Sequence, residues 1–200
     1  INDIDIVVSD KPKEIAELIS TKLSGSYFLI NSDHAIYRIN IAYKSLMLNI
    51  DIGAFDGSIC EDLSKRDFTI DAIAVRLDSK FKGIEIDDLI DPYDGLGAIR
   101  SRVIQTVSAE SFQDDPLRLL RCIRLHAELN FEIDEQTIEI LESHSHKINQ
   151  VSAERVREEI FKILSLSKTI DCLKILDKVG LLTELVPQLE IARNVLQPKE

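Results

Sequence analysis

The segment Asp3-Ile4-Asp5-Ile6-Val7-Val8 decides how the first half of this chain is interpreted. Its hydrophobic residues predict a buried β-strand. Because side chains alternate between the two faces of a strand, we expect Asp3 and Asp5 to project from the same side. Neighbouring carboxylates repel each other unless a cation lies between them, and Mg²⁺ favours one or two carboxylates together with substrate phosphates. The segment therefore indicates a metal site for nucleotidyl transfer, although two solvated acids at a strand end would give the same pattern.

The composition is that of an ordinary soluble protein. The 200 residues include 24 Lys and Arg against 35 Asp and Glu, a formal net charge of −11. This balance argues against a general nucleic-acid-binding protein but allows an enzyme whose basic residues are clustered locally. No stretch has the length of a membrane span, and the start has no basic, apolar leader. Cys60, Cys122 and Cys172 are widely separated, so we expect reduced, mostly buried thiols in a cytoplasmic protein.

The hydrophobic pattern changes near residue 108. Before that point, turn residues and alternation predict an α/β domain. Its predicted elements are strands over 3–8, 34–41, 45–52 and 103–107, a turn over 90–97 and a helix from Pro12 to Gly25. Residues 67–77 are β-rich and predict a strand, with a helix as the alternative for their alanine-containing part. After that point, helical periodicity and capping residues predict one helix after another. These helices begin near Pro116, Asp134, Ser152 and Lys168.

Five segments occur in an order that resembles one protein family. They begin at Asp3, Lys65, Ile90, Asp114 and Ser152, and they read DIDIVV, KRDFTIDA, IDPYDGL, DDPLRLLR and SAERVREE. Together they resemble the class II tRNA nucleotidyltransferases, which are the CCA-adding enzymes, and the related bacterial poly(A) polymerases. The resemblance implies a polymerase-β-like α/β head with a mixed sheet over residues 1–107. An all-helical neck that recognises the nucleotide base would follow over 108–165, and the start of a helical body over 166–200.

The resemblance implies catalytic roles for carboxylates of the head. Asp3 and Asp5 would hold magnesium ions that activate the 3′-hydroxyl of tRNA and neutralise the triphosphate. Asp51 is the candidate for a third catalytic acid, and an ordinary turn acid before Gly53 is the alternative. The Gly-Gly-x-x-Arg-Asp turn that precedes this strand in the family is absent from the sequence, so a chain beginning at Ile1 is expected to bind nucleotide poorly.

Lys65, Arg66 and Asp67 match the family motif Arg-Arg-Asp, which binds the sugar of the incoming nucleotide. A carboxylate paired with an arginine can accept a hydrogen bond from the ribose 2′-hydroxyl, which suits selection of ribose. The chain has Lys65 where the family prefers arginine, and Asp71 where it usually has asparagine, which adds negative charge near the triphosphate. A solvated charge pair at a strand entrance is the alternative interpretation of Lys65 and Arg66.

Asp115 and Arg118 are expected to share a helix face because they are three residues apart, and Arg121 extends the same stripe. By resemblance, this pair reads the Watson–Crick edges of cytosine and adenine and so replaces a nucleic-acid template. The alternative is an intrahelical salt bridge without a role in recognition.

Two further pairs match family segments whose roles are less direct. Asp91 and Gly95 lie in a segment that would act as a hinge between head and neck, with a structural turn as the alternative. Arg155 and Arg157 are separated by about 200° on a helix, so they cannot both serve one contact. One of them is expected to brace the template helix through a carboxylate.

The predicted function is template-independent addition of C, A or both, from CTP and ATP, to the 3′ end of tRNA with magnesium as cofactor. A poly(A) polymerase is the alternative enzyme, and a truncated, non-catalytic head that binds nucleotide or RNA is the alternative of another class. The stretch from Asp51 to Asp67 is compact, which favours a partial activity, either CC-adding or A-adding. The sequence leaves the oligomeric state open.

Overall fold

Four strands that lie between residues 3 and 54 form one sheet. The structure is a computed structural model that describes residues 3–32, 35–44, 46–77, 83 and 85–193. The chain packs as two units, residues 1–62 and 63–200. The strands of the first unit are β1 (Asp3–Val8), β2 (Ser26–Asn31), β3 (Ile36–Tyr43) and β4 (Leu46–Ala54). Their order is β1-β4-β3-β2, with β1 parallel to β4 and the other pairs antiparallel. The predicted mixed sheet is confirmed.

One face of the sheet is apolar and packs against a helix. Helix α1 (Pro12–Lys22) begins with a proline, whose fixed φ suits the first helical turn. Its buried Ala16 belongs to the same apolar cluster as Ile39 of β3 and Ile52 of β4. Because successive strand residues face opposite sides, packing these isoleucines inward sends their polar neighbours to the other face.

Two details of the first unit differ from the sequence-based expectations. The start of β1 is exposed and not buried, because β1 lies at the edge of the sheet and, among the described residues, pairs with β4 alone. Strand β2 is absent from the predicted elements, since it does not alternate cleanly: Tyr27 packs on the core while Phe28 and Leu29 are about half exposed.

The second unit is mainly helical. Its short strands are β5 (Ala74–Val75), β6 (Leu89–Ile90), β7 (Val103–Ile104) and β8 (Glu132–Ile133). Helix α2 (Ile59–Ser64) spans the division between the units. The helices that follow are α3 (Gly95–Ser101), α4 (Ser111–Asp114), α5 (Arg118–Leu129), α6 (Glu135–His144), α7 (Ala153–Leu164), α8 (Thr169–Lys178), α9 (Leu181–Leu185) and α10 (Leu189–Ala192). None of the helices in the described ranges has the length and apolar character needed to cross a bilayer.

The helix boundaries follow local chemistry. The Asp134 carboxylate accepts a hydrogen bond of 3.1 Å from the Thr137 N–H and caps α6 as predicted. Asn130 ends α5 in the left-handed conformation at φ 56°. Ser152 precedes α7, but its side chain makes no capping hydrogen bond. The helical core includes Leu119, Leu120 and Ile123 of α5.

The predicted strand over 67–77 is largely wrong. Thr69–Asp71 form a 3₁₀ turn, and only Ala74–Val75 pair, antiparallel, with β6. Phe68 packs into the helical core and forms one isolated antiparallel bridge with Thr106, and the 3₁₀ turn that begins at the next residue ends this extended pairing. The predicted turn over 90–97 is correct for residues 91–94, because Ile90 ends β6 and α3 begins at Gly95.

Gly95 lies where the chain leaves no room for a side chain. A β-carbon at this position would lie 2.1 Å from the Thr69 carbonyl oxygen and 2.8 Å from Ile73 Cγ1. The Gly95 N–H donates to Asp91 Oδ1 at 2.7 Å, and the Leu96 N–H donates to Asp91 Oδ2 at 2.9 Å. Asp91 therefore caps the start of α3, and Gly95 lets α3 approach the 3₁₀ turn at Thr69–Asp71 closely.

We expect Gly95→Ala to destabilise the chain by about 1–3 kcal/mol, because the backbone oxygen of Thr69 cannot move aside as a flexible side chain would. The measurement is the urea or thermal unfolding midpoint. Gly53→Ala is the control, because its β-carbon would meet only Ile36 Cγ1 at 3.6 Å, an ordinary contact. Equal midpoints for the two variants would contradict the assignment of Gly95 as a packing position.

Candidate active site

The sheet face opposite α1 holds acidic and amide side chains in two rows. Strand register places Asp3 opposite Asn49, and Asp5 opposite Asp51. Asp51 is in turn opposite Arg38 of β3. Directly opposed residues point to the same face of a sheet, so all of these polar groups share one face. The expectation that Asp3 and Asp5 project from one side is confirmed.

Asp51 is bound by an arginine. Arg38 Nε donates to Asp51 Oδ1 and Arg38 Nη2 donates to Asp51 Oδ2, both at 2.7 Å. Its hydrogen bond to Asp51 raises the pKa of Arg38 against the opposing effect of burial, and the charges of Asp51, Asp3 and Asp5 act in the same direction. Asp51 lies inside β4, so the alternative of a turn acid is wrong.

Asp3 and Asp5 keep carboxylate oxygens open to solvent. Both residues are exposed, and Asp3 Oδ1 accepts one hydrogen bond of 2.9 Å from Asn49 Nδ2. Hard oxygen donors of this kind fit Mg²⁺, which takes one or two protein carboxylates and completes its shell with water and phosphate oxygens. Within the described ranges, no three His, Cys, Asp or Glu side chains converge as a metal-binding group. The donor set fits a two-carboxylate site.

Asp67 lies in the second unit, and hydrogen bonds hold both its backbone carbonyl and its side chain in place. Its carbonyl oxygen accepts hydrogen bonds from the Val107 N–H at 3.1 Å and from Thr106 Oγ1 at 3.0 Å. The residue is 6% exposed, and Arg121 Nε donates to its Oδ2 at 2.8 Å. A charged pair held this way has a defined orientation, which a solvated surface pair lacks.

The neighbouring charges affect one another. The pKa of Asp71 is raised above its ordinary value, first because neighbouring atoms partly desolvate this exposed carboxylate and second because of the negative charge of Asp67. Burial alone would lower the pKa of Arg121, but the charge and hydrogen bond of Asp67 outweigh it and raise the pKa. Lys65 is exposed and Arg66 is half-buried in the segment that leads into Asp67.

Asp115 and Arg118 do not share a helix face as predicted. Asp115 has extended backbone angles, φ −143° and ψ 97°, and lies before α5. The physical reason is Pro116, whose ring disfavours helical geometry in the residue before it. Asp115 accepts a 2.7 Å hydrogen bond from Arg155 Nη2, so the alternative of an intrahelical bridge to Arg118 is also wrong.

Arg118 is anchored through backbone oxygens. Its Nη1 donates to the Ser111 carbonyl at 3.1 Å, and its Nη2 donates to the Lys65 carbonyl at 2.8 Å. Arg118 and Arg121 are three residues apart in α5, and both hold the segment that includes Lys65 and Asp67. This places α5 as the support of the Asp67 segment.

Helix α7 contacts α5 at one point and the residue Asp115, just before α5, at another. Arg155 reaches Asp115, as expected for one of the two arginines, and Arg157 has no recorded polar partner among the described residues. The buried Glu159 accepts hydrogen bonds from Arg124 of α5 and, at 3.1 Å, from Lys162. Burial alone would raise the pKa of Glu159, but these two bonds and the positive charges outweigh it and hold the pKa below its ordinary value.

Several of these groups are missing from the sequence-based set of candidates. Arg38 and Asn49 alternate with inward-facing isoleucines on β3 and β4, which is a signal that places them on the polar face. Glu159 belongs to the SAERVREE segment, but an acid on a helix does not reveal its partner. Asp91 and Gly95 form a packed helix start, and their role as a hinge stays a prediction.

Family models match most of the chain. Residues 1–105 match the model described as the poly A polymerase head domain. Residues 130–192 match the model described as a probable RNA and SrmB-binding site of polymerase A.

Individual relatives are longer than this chain. A CC-adding tRNA nucleotidyltransferase of Geobacter sulfurreducens is 35% identical over 170 residues, which cover 84% of this chain and 37% of the relative. The CCA-adding enzyme of Thermotoga maritima, solved in complex with tRNA, has a TM-score of 0.82 and 28% identity, covering 99% of this chain and 46% of that one. A CCA-adding enzyme solved with CTP has a TM-score of 0.79 and 30% identity, covering 94% and 44%. The chain therefore spans less than half the length of these relatives.

The Glu159 contacts generate a pH-dependent stability prediction. At pH 7, we expect Glu159→Gln to lower the stability of the helical unit by about 1.5–3 kcal/mol, because two charge-assisted hydrogen bonds are weakened. A lowered folded-state pKa contributes stability above the ordinary glutamate pKa of 4.5 and loses it as pH falls through the folded value. The difference between wild type and variant should therefore shrink in acid, as measured by urea unfolding at a series of pH values.

The matched control is Glu158→Gln, which removes an exposed carboxylate from the adjacent position of α7. It should leave the unfolding midpoint within about 0.5 kcal/mol of wild type. A Glu159→Gln midpoint equal to that of the control at pH 7 would refute the bracing role of this network.

Proposed function

Because this chain belongs to the class II family of CCA-adding enzymes and poly(A) polymerases, we propose that it performs template-independent nucleotidyl transfer to the 3′ end of tRNA. The nucleotides would be CTP, ATP or both, since the relatives include a CC-adding and a CCA-adding enzyme. The main support is the pair of exposed carboxylates on one sheet face, within a chain that superposes on 99% of its length with an enzyme bound to tRNA.

Asp3 and Asp5 are the residues that would hold magnesium. When bound, the ions supply charge neutralisation of the triphosphate and a lowered pKa for the attacking hydroxyl. The sheet contributes rigidity, since both residues lie on a paired strand, and Asn49 fixes one oxygen of Asp3. Rigid carboxylates avoid reorganisation during the reaction, which is where much of the catalytic advantage of such sites arises.

Asp67 is the group we assign to the nucleotide sugar. Its Oδ2 is taken by Arg121, and its Oδ1 accepts a weaker 3.2 Å bond from the Phe68 N–H. A carboxylate oxygen has more than one acceptor site, so Oδ1 can also accept from a ribose 2′-hydroxyl. A deoxyribonucleotide would leave this acceptor without its partner, which favours ribonucleotides. Lys65, Arg66 and Asp71 lie in the same segment and would border the triphosphate.

Asp115 and Arg118 are the groups we assign to the base. Asp115 accepts from Arg155 and from the Leu117 N–H, and it can accept a further bond from the amino group of cytosine or adenine. The guanidinium of Arg118 has donors beyond those used by the Ser111 and Lys65 carbonyls. A carboxylate that faces the exocyclic amino group would suit cytosine and adenine, whereas uracil and guanine present a carbonyl oxygen at that position.

The length of the segment between the sheet and Lys65 favours a narrower activity. Strand β4 ends at Ala54 and α2 begins at Ile59, so only four residues connect them. CC addition is the form that agrees both with this short connection and with the Geobacter relative. Poly(A) polymerase activity and a non-catalytic head are the other outcomes of the assay below.

We expect Asp3→Asn and Asp5→Asn each to lower nucleotide incorporation about 100-fold or more, a loss of about 2.7 kcal/mol of transition-state stabilisation. The assay is incorporation of each labelled nucleotide into tRNA that lacks its CCA end. Asp10→Asn, which removes an exposed acid just after β1, is the control and should retain activity.

Incorporation by both variants within about tenfold of wild type would contradict the metal-binding role. Long A tracts made by wild type would identify a poly(A) polymerase. Absence of incorporation by wild type would support the non-catalytic alternative.

We expect Asp115→Asn to reduce discrimination between CTP and UTP about tenfold or more, because each lost hydrogen-bond partner contributes roughly 1–3 kcal/mol. Arg155→Met should act in the same direction and more weakly, since it frees the Asp115 carboxylate without removing it. Arg157→Met is the matched control on the same helix and should leave base preference unchanged. A uniform loss of rate with unaltered base preference in Asp115→Asn would show that this residue is structural.

A further inference from the structure

The three acids of the exposed sheet face differ in how many of their oxygens are occupied. Both oxygens of Asp51 accept 2.7 Å bonds from Arg38. Asp3 accepts one bond from a neutral amide, and Asp5 has no recorded hydrogen-bond or ion-pair partner among the described residues. Asp3 and Asp5 can therefore bind a cation without losing a charged partner, whereas Asp51 cannot.

We propose that Arg38 withholds Asp51 from the metal and so confines the magnesium site to Asp3 and Asp5. Arg38 is thus a positioning residue, and Asp51 is its anchor and not a third metal ligand. This inference rests on the proposed metal-binding role of Asp3 and Asp5.

Geometry supports this division of roles. Asp51 lies between Asp5 and Arg38 in one row across three adjacent strands, so it is the acid nearest in register to both the metal-binding strand and the arginine. A parallel pair of hydrogen bonds between a guanidinium and a carboxylate is the strongest side-chain arrangement of this type. A metal ion that claimed Asp51 would have to break both bonds and leave Arg38 unpaired beside a second cation.

The net charge of this sheet face also supports a magnesium site confined to Asp3 and Asp5. Three carboxylates would give this face a charge of −3, and Arg38 reduces it to −2, the charge that one divalent ion neutralises. The side chain of Asp51 is 20% exposed and that of Arg38 is 36% exposed, so water screens the pair only in part. Arg38 therefore lowers the attraction of the face for cations while it orients Asp51.

The proposal is tested by Mn²⁺ binding to the full chain, followed by electron paramagnetic resonance. We expect Arg38→Met to tighten Mn²⁺ binding about fivefold, because Asp51 is released and a nearby positive charge is removed. Asp51→Asn should weaken binding by a similar factor, since Arg38 then lies unpaired near Asp5.

The double variant Arg38→Met/Asp51→Asn decides between the two roles of Asp51. It removes one charge of each sign and keeps the face at −2, so an anchor role predicts Mn²⁺ affinity within about twofold of wild type. If Asp51 were a ligand, the double variant would bind about tenfold more weakly than wild type, and the proposal would be overturned. It would also be overturned if Arg38→Met bound Mn²⁺ no more tightly than wild type.

Two further variants keep the result interpretable. Arg38→Lys can pair with only one oxygen of Asp51, so it should tighten Mn²⁺ binding by an intermediate factor even if Arg38→Met fails to fold. Asp3→Asn marks the site: it should weaken Mn²⁺ binding about tenfold or more. Mn²⁺ binding that ignores both Asp3→Asn and Asp5→Asn would refute the metal site of the proposed function itself, an outcome distinct from failure of the Arg38 inference.

Discussion

The register of β4 between β1 and β3 is the constraint on which the first unit depends. It places Asp3, Asp5 and Asp51 on one face of the sheet. Ile50 and Ile52, which flank Asp51, lie on the other face and pack in the same apolar cluster as Ala16 of α1. A slip of one residue would turn every side chain of a strand to the opposite face. Carboxylates would then lie in the apolar layer, where an unpaired charge costs several kcal/mol. The hydrophobic core thus enforces the arrangement of the acids without contacting them.

The second unit fixes its polar groups by a different means. The backbone carbonyl of Asp67 accepts a hydrogen bond from Thr106, and its carboxylate accepts one from Arg121 of α5. Helix α5 is itself held through Arg124, which donates to Glu159 of α7. Buried charges need partners, because the loss of hydration on burial exceeds what a single distant charge can return. The paired charges of α5 and α7 meet that requirement, and they leave Asp67 and Asp115 with fixed orientations.

The sequence predicts from which face of a strand a side chain projects, but it does not predict which residue that side chain pairs with. Alternation correctly places Asp3 and Asp5 on one side, because the period of a strand is a local property. Arg38 is not among the site residues predicted from the sequence. Its pairing with Asp51 depends on β3 and β4 becoming neighbours, and neighbouring strands are not determined by the local sequence. The extended backbone of Asp115 is a different case: Pro116 stands in the sequence, and its effect on the preceding residue is sufficient to place Asp115 outside the helix. The 3₁₀ turn at Thr69–Asp71 replaces a predicted strand directly after Phe68, which packs into the helical core.

The separation of Asp67 and Arg121 along the chain has a consequence for the order in which the protein is built. These residues are 54 positions apart, whereas the sheet that contains Asp3 and Asp5 closes entirely within residues 3–54. During synthesis the sheet can form as soon as its last strand leaves the ribosome, but Asp67 must wait for α5. Until then, Asp67 lacks its Arg121 partner, since a contact of such sequence separation forms only after its loop has closed. The acids of the sheet can therefore take up their positions early in translation, whereas the Asp67–Arg121 pair forms late.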